Sequence, residues 1–165
     1  TGCASERLGN RHSNVAPYQV FHCADGPGMI CAGTDGQFQK LCTMMEHEEW
    51  ARDPRFTTNS LRKENEAVLV EMISAVTLTK TRDEWIALLQ QHKIPGGRVN
   101  TIAEALEQPQ LIARDMIGEI EHEQYGKIKF VKNPLQFSSL NIDYKLAPPL
   151  LGEHTQEFQK SSISS

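Results

Sequence analysis

The chain has 165 residues, with 17 Lys and Arg against 21 Asp and Glu and a formal net charge of −4. Its 39% hydrophobic and 23% charged residues exclude disorder over the whole chain, and the length suits one compact domain. The apolar runs are too short to cross a bilayer, no targeting segment is visible, and the mild acidity excludes the electrostatic footprint of a nucleic-acid-binding protein. We therefore expect a soluble protein that binds neither membrane nor nucleic acid. Because the first residue is Thr1 rather than Met, we also expect that a preceding segment has been removed.

The cysteines and histidines do not form a metal-binding pattern. The four cysteines are Cys3, Cys23, Cys31 and Cys42, and no two of them form a Cys-x-x-Cys pair. Their apolar surroundings predict buried reduced thiols rather than a disulfide framework, which indicates an intracellular compartment. His47 lacks the second histidine of a zinc-protease helix, so we predict no metal site.

The first third of the chain alternates between extended and helical patterns. Residues 1–17 are rich in Gly, Asn and Ser and lack periodicity, which predicts an arm or loop. Residues 18–33 alternate on either side of the turn signal Ala24-Asp25-Gly26-Pro27, which predicts a β-hairpin. Asp35 is the predicted N-cap of a helix over residues 36–45.

The middle of the chain carries several helical signals. A periodic apolar stripe predicts a long helix over residues 60–76. Thr81-Arg-Asp-Glu84 and Thr101-Ile-Ala-Glu104 are capping boxes, in which a hydroxyl and a carboxylate satisfy the free amides at a helix start. Pro95 is predicted to end the first of these helices, and Pro109 to end the second and begin another short one.

Residues 117–132 give the clearest hairpin pattern, because glutamates and lysines occupy alternate positions on its two strands. Acidic and basic rows are expected to face each other across the strands, with Ile120, Ile128 and Phe130 pointing to the core. Residues 135–138 are a predicted further strand. Residues 161–165 are a predicted polar, frayed tail.

Together these patterns predict an α+β fold, a small domain of antiparallel hairpins packed on helices. The predicted organisation is a linker arm over residues 1–17, the small domain over residues 18–138, and a return arm with a frayed tail over residues 139–165.

Three loops are candidates for chemistry. Gly9-Asn10-Arg11-His12-Ser13-Asn14 is rich in hydrogen-bond donors and short of packing residues, which suits a loop that closes over a site, although an ordinary loop has the same composition. Gly33-Thr-Asp-Gly36 could offer amides to an anion, but a turn with an N-cap explains it more simply. Ile94-Pro-Gly-Gly-Arg98 allows close approach to a ligand, and we favour a helix stop there.

The order of short motifs along the chain resembles the C-terminal portion of the family III CoA-transferases, of the formyl-CoA transferase and succinyl-CoA:carboxylate CoA-transferase type. The motifs extend from about residue 6 to residue 158. They are Arg7-Leu-Gly-Asn10, Asn14-Val-Ala-Pro-Tyr-Gln-Val-Phe21, Ala24-Asp-Gly26, Gly33-Thr-Asp-Gly-Gln-Phe38, Asp53-Pro-Arg-Phe56-Thr-Thr-Asn59, Ile94-Pro-Gly-Gly-Arg-Val-Asn100, Pro109-Gln110, Ala113-Arg114, Gly126-Lys-Ile-Lys129 and Ala147-Pro-Pro-Leu-Leu-Gly-Glu-His-Thr155.

The resemblance implies an enzyme that moves coenzyme A from an acyl-CoA to a carboxylic acid, with no bound cofactor and the CoA thioester as substrate. The family's nucleophilic Asp forms an acyl anhydride and then an enzyme thioester, and it belongs to a Rossmann-like large domain outside this chain. In the full-length protein, extended arms would join the small domain to that large domain in an interlocked homodimer. The implied location is cytoplasmic, or mitochondrial in a eukaryote.

The resemblance also implies that the chain holds no catalytic residue of its own, with possible loop contributors at Gly9, Asn10, His12, Ser13 and Asn14. Some members have a run of glycines at this loop, whereas this chain has none, so we expect a stiffer loop. His12 and Asn14 could donate hydrogen bonds to an anhydride or thioester oxygen and help to exclude water.

Beyond Glu157 the resemblance decays, and the family's C-terminal helix is not expected here. We expect the isolated chain to be an inactive fragment. Two alternatives stay open at this stage: a member resembling the α-methylacyl-CoA racemases, or a truncated, non-catalytic interaction module.

Overall fold

The structure is a computed structural model that describes residues 7–163, with side chains through residue 160. The predictions for Cys3, for the first six residues of the arm and for the last two residues of the tail lie outside this described part. Within it, the fold is α+β, as predicted, and it forms two compact units, Thr1–Asn100 and Thr101–Ser165. The boundary between these units falls inside the predicted 18–138 domain, and the predicted three-part division stays a prediction.

The first unit contains a three-stranded antiparallel sheet. β1 (Tyr18–Cys23) and β2 (Gly26–Cys31) form the predicted hairpin, with Phe21 opposite Gly28. Alternate residues of β1 are buried, as the two-residue period of a strand requires. β3 (Gly96–Arg98) pairs with β2 and completes the order β1-β2-β3.

Five helical segments pack in the same unit. They are α1 (Asp35–Met44), a 3-10 helix (Glu48–Arg52), α2 (Asn59–Glu64), α3 (Glu66–Thr77) and α4 (Arg82–Gln91). Their apolar faces and the sheet bury a common core of sixteen residues, namely Phe21, Cys23, Ile30, Ala32, Phe38, Leu41, Cys42, Met44, Met45, Trp50, Phe56, Leu69, Ile73, Trp85, Leu89 and Ile94. The predicted capping box at Thr81 and Glu84 is confirmed at the start of α4.

Two helix predictions in this unit need correction. The helix predicted over residues 60–76 is two helices, α2 and α3, separated at Asn65. The Leu61 carbonyl accepts both from the Asn65 amide at 3.0 Å and from the Asn65 side chain at 2.9 Å, so Asn65 is the C-cap of α2. The N-cap of α1 is Thr34 rather than Asp35, because the Thr34 hydroxyl accepts from the Gln37 amide while the Asp35 carboxylate turns to Arg62.

Gly96 has a packing role that differs from the favoured helix stop. It lies inside β3, where an added Cβ would stand 2.6 Å from the Met29 carbonyl oxygen and 2.7 Å from Leu89 Cδ1. Gly97 has no such neighbour within 4 Å. A glycine is therefore required at position 96 because the β3 backbone is in close contact with both β2 and α4.

The second unit contains two short helices and a hairpin. α5 (Ile102–Leu106) begins at the predicted Thr101 capping box, and α6 (Pro109–Ala113) begins at its proline, as predicted. β4 (Ile117–His122) and β5 (Gly126–Val131) pair with Glu119 opposite Lys129 and Glu121 opposite Lys127, which confirms the facing charged rows.

The packing of this hairpin is looser than predicted. Ile120, Ile128 and Phe130 are only half-buried, while Gly118 and His122 are the buried positions of β4. The His122 Nδ1 accepts from the Gln124 and Tyr125 amides, so the imidazole closes the turn of the hairpin.

The last part of the chain differs from prediction in two places. Residues 135–138 are not a strand, because the backbone amides of Asn133 and Leu135 bond to the Tyr144 hydroxyl and the Asn133 side chain instead of a neighbouring strand. A helix, α7 (Thr155–Ile163), forms where the sequence predicted a decaying pattern and a frayed tail. In the described part of the chain, no helix is long and apolar enough to cross a membrane.

Candidate functional site

The predicted site loop, Gly9 to Asn14, is a sequence of turns on the surface of the first unit. All of its residues are exposed. Gly9 has φ +64°, a left-handed conformation in which a side chain would be strained. The loop is brought next to β1 by two bonds, from the His12 amide to the Tyr18 carbonyl at 3.0 Å and from the Val20 amide to Asn10 Oδ1 at 3.0 Å.

His12 has a defined orientation in this loop. Its ring stacks on Tyr18 with centroids 5.0 Å apart and an interplanar angle of 24°. Its Nδ1 accepts from the Asn14 amide at 3.1 Å, so in the neutral imidazole the proton is carried by Nε2. An Nε2–H group on an exposed ring is a hydrogen-bond donor of the kind that stabilises a developing oxyanion.

A polar face of α2 and α3 lies against the loop and the residues that follow it. We call this the anchor face, and it consists of Asn59, Arg62, Lys63 and Glu66. These residues are spaced at i, i+3, i+4 and i+7, the spacing that brings side chains to one side of a helix. The sequence alone did not identify this face, because polar residues at helical spacing do not indicate that another segment packs on them.

The anchor face donates to three alternate carbonyls of residues 12–16. Lys63 Nζ bonds the carbonyl of residue 12 at 3.1 Å, Asn59 Nδ2 bonds that of residue 14 at 2.8 Å, and Arg62 Nε bonds that of residue 16 at 2.7 Å. The Asn59 Oδ1 also accepts from the residue 16 amide at 3.1 Å, so this one side chain holds the backbone at two points.

Arg62 is fully buried and connects several parts of the unit. Besides the carbonyl of Ala16, it donates to the carbonyls of Phe56 at 3.1 Å and Gly33 at 3.2 Å. Its guanidinium also pairs with Asp35 at 2.9 Å and lies 4.6 Å from the centroid of the Phe38 ring. The buried charge is therefore compensated by an ion pair, three carbonyls and an aromatic face.

Glu66 holds the cationic side of the loop. Its Oε2 accepts from Lys63 at 2.9 Å and from Arg11 at 3.3 Å, and its side chain is only 11% exposed. Through this ion pair, Arg11 connects the loop to Glu66. The loop is thus fixed by charged contacts as well as by backbone hydrogen bonds.

The other two candidate loops have structural roles. In Gly33-Thr-Asp-Gly36, Thr34 caps α1 and Asp35 pairs with Arg62, in agreement with the favoured turn and N-cap. Ile94-Pro-Gly-Gly-Arg98 leads into β3. Among residues 7–163, no group of three or more His, Cys, Asp or Glu is placed to share a metal ion.

The described cysteines are free thiols of low reactivity. Cys23 and Cys42 are buried, and Cys31 is half-buried. Burial raises the pKa of Cys42 to about 12, and it also raises the pKa of the Cys23 and Cys31 thiols. Since the thiolate is the nucleophile, these groups are poor candidates for covalent chemistry.

The fold of the chain is similar to that of solved CaiB/BaiF proteins. A CAIB/BAIF family protein from Brucella suis matches with a TM-score of 0.78 and 35% identity, over 98% of this chain and 41% of that one. Rv3272 from Mycobacterium tuberculosis matches with a TM-score of 0.71 and 26% identity, over 88% of this chain and 41% of that one.

The sequence comparisons agree with the resemblance. The chain belongs to CoA-transferase family III, whose family model matches residues 1–155. It is 34% identical over 148 residues to a succinate–glutarate CoA-transferase of Agrobacterium fabrum, covering 90% of this chain and 37% of the relative. It is 30% identical over 159 residues to a succinyl-CoA:glutarate CoA-transferase of Mus musculus, covering 96% of this chain and 36% of the relative. The chain thus spans between a third and two-fifths of the length of these relatives.

Proposed function

We propose that this chain works as the C-terminal part of a CoA-transferase, which moves coenzyme A from an acyl-CoA to a carboxylic acid. The observation that carries the proposal is the family match over residues 1–155, in a chain that spans 37% of a succinate–glutarate CoA-transferase. The nucleophilic aspartate and most of the CoA site are then supplied by residues outside this chain. The full-length protein is proposed to be a homodimer.

The proposed chemistry is a double exchange on the aspartate. Its carboxylate attacks the acyl carbon of the donor, the C–S bond breaks, and an acyl-aspartyl anhydride and CoA thiolate form. The thiolate then attacks the aspartyl carbonyl, which releases the donor acid and leaves an aspartyl-CoA thioester. The acceptor carboxylate repeats these two steps in reverse, and the new acyl-CoA leaves with the aspartate restored.

In this proposal the chain contributes the loop Gly9, Asn10, His12, Ser13 and Asn14. Each tetrahedral intermediate carries an oxyanion, which an N–H donor stabilises. The His12 Nε2–H is the donor with a defined orientation, because Nδ1 is occupied by the Asn14 amide. The loop also covers an anhydride that water would otherwise hydrolyse.

The activity is tested by comparing the full-length protein with residues 1–165 alone. Succinyl-CoA is offered with glutarate and with D-citramalate, the acceptors in the names of similar proteins, and formyl-CoA is offered with oxalate. We expect the full-length protein to form the acceptor's CoA thioester and residues 1–165 to form none. Hydroxylamine added during turnover should leave a hydroxamate on an aspartate outside residues 1–165. Transfer by residues 1–165 alone, or no transfer by the full-length protein, would contradict the proposal.

The donor role of His12 is tested in the full-length protein by His12→Phe, which keeps an aromatic ring against Tyr18 and removes the Nε2–H. We expect kcat to fall about tenfold to hundredfold with a smaller change in KM. His22→Phe is the matched control, because His22 is also exposed and lies on the neighbouring β1. An equal loss in both variants would argue against this role.

The same samples separate the alternative functions. Exchange of the acyl α-hydrogen with deuterated water, without transfer, would indicate racemase-like chemistry. A full-length protein that binds neither acyl-CoA nor carboxylic acid by calorimetry would indicate an interaction module. Light scattering on the full-length protein measures the proposed dimer, and a monomer would exclude it.

A further inference from the structure

The loop of residues 9–14 has few apolar contacts to hold it, since every residue from 7 to 14 is exposed. An exposed segment of this kind samples many conformations unless other contacts restrict it. Part of this restriction comes from the anchor face, which donates to the carbonyls of residues 12, 14 and 16. Together with the two bonds to β1, these contacts hold the loop from α2 and α3, more than 40 residues later in the chain.

We propose that Asn59 and Lys63 are positioning residues, which hold the loop so that the anhydride on the enzyme is attacked by the CoA thiolate rather than by water. This inference rests on the proposed function. The inference goes beyond that function, because it states that two side chains without contact to the reacting atoms control the ratio of transfer to hydrolysis.

The competing reaction is hydrolysis of the anhydride. The oxygen of water bonds to the acyl carbon, the C–O bond to aspartate breaks, and the products are the donor acid, the aspartate carboxylate and two protons. One of these protons is taken up by the CoA thiolate, so the net reaction converts acyl-CoA and water to acid and free CoA thiol. A loop that leaves its position admits this water.

Asn59→Asp tests the proposal at a single group. The aspartate keeps the Oδ1 that accepts from the residue 16 amide, but an oxygen replaces the NH2 that donates to the Asn14 carbonyl. The new carboxylate oxygen then faces the Asn14 carbonyl oxygen, where the hydrogen bond of 2.8 Å was, and the two oxygens repel each other. Because residue 59 is the first of α2, an acidic side chain is favourable there, and we expect folding stability to be preserved.

Lys63→Met tests the second contact, and Lys63→Arg tests rescue, because arginine keeps a positively charged donor. Lys40→Met is the matched control, since Lys40 is exposed on α1. All variants are made in the full-length protein. Free CoA thiol is measured with a thiol reagent and new acyl-CoA by chromatography, which together give the ratio of hydrolysis to transfer.

We expect the ratio to rise about fivefold in Asn59→Asp and in Lys63→Met, the change that corresponds to ~1 kcal/mol for one net hydrogen bond. Lys63→Arg should restore the ratio, and Lys40→Met should leave it unchanged. KM for the donor should change less than the ratio, because neither side chain is proposed to bind substrate.

A second measurement, the rate of proteolysis, reports on the loop conformation and does not depend on enzyme activity. Trypsin cleaves after Arg11, and the fragment that begins at His12 can be followed by mass spectrometry. We expect this cleavage to be about fivefold faster in Asn59→Asp than in the wild type and unchanged in Lys40→Met. The cleavage rate therefore tests the positioning role even in a variant that folds but has lost all turnover.

The outcomes are distinguishable. If the wild-type protein transfers CoA but neither variant changes the ratio or the cleavage rate, the positioning role is refuted and the proposed function stands. If the wild-type protein transfers no CoA, both are refuted. An equal rise in Lys40→Met would also refute the positioning role, because it would indicate a general effect of lost positive charge.

Discussion

Arg62→Met removes the buried guanidinium and keeps an unbranched apolar side chain in its place. The carbonyls of Ala16 and Phe56, both in residues with no exposed surface, would then have lost their Arg62 donor. At ~1–3 kcal/mol for each buried unsatisfied acceptor, the free energy of unfolding should fall by about 2–6 kcal/mol. Asp35 adds little to this sum, because its side chain is 53% exposed and water can solvate it.

The assay is urea denaturation followed by tryptophan fluorescence. The chain has two tryptophans, Trp50 and Trp85, and both are buried in the core of the first unit. Fluorescence therefore reports on the unit that contains Arg62. Arg55→Met is the matched control, because the exposed Arg55 makes its ion pair with Asp53 at the surface, and we expect an unchanged midpoint. Arg62→Lys should give an intermediate loss, since one ammonium group cannot replace a planar fork at three carbonyls. A loss below about 1 kcal/mol in Arg62→Met would refute the reasoning.

Two further predictions concern packing and thiol chemistry. Gly96→Ala should destabilise the first unit by about 1–3 kcal/mol in the same urea assay, because its Cβ would meet a backbone oxygen that cannot move aside. Gly97→Ala should have a much smaller effect, and equal losses would contradict the close approach. The Cys42 thiol should resist iodoacetamide at pH 8 in the folded chain and react in urea, because burial raises its pKa from 9.0 to about 12. Since the folded state then holds this proton more tightly than the unfolded state, stability should decrease as the pH rises above about 9. Rapid labelling of Cys42 under native conditions would contradict its burial.

Most sequence predictions that depend on residues close together in the chain are correct, and those that depend on residues far apart in the chain are less accurate. The capping boxes at Thr81 and Thr101 each join residues three apart, and both are confirmed. The break at Asn65 was missed, although its bonds to the Leu61 carbonyl span only four residues, because the periodic apolar residues on either side of it predict one continuous helix. The N-cap of α1 was misplaced by one residue because Asp35 is used by Arg62, a partner distant in sequence.

The candidate loop illustrates the same limit. Its composition indicated an exposed segment with hydrogen-bond donors, and residues 9–14 are exposed. The residues that hold it were not predicted. An Asn, Arg, Lys and Glu at helical spacing normally describe a solvated face, and nothing in their order indicates that a second segment covers them.

By itself, the sequence determined the α+β class, both hairpins and most helix starts of this chain, because strand alternation, turn residues and capping bonds act within a few residues. It also carried the ordered motifs by which the chain is identified as a member of CoA-transferase family III. Only the tertiary structure decided that Arg62 is buried, that Gly96 must be a glycine and that the loop is held from α2 and α3. The bonds from the anchor face to residues 12, 14 and 16 join positions 51, 45 and 46 residues apart. Such contacts depend on how the elements pack in space, which no local pattern of residues encodes.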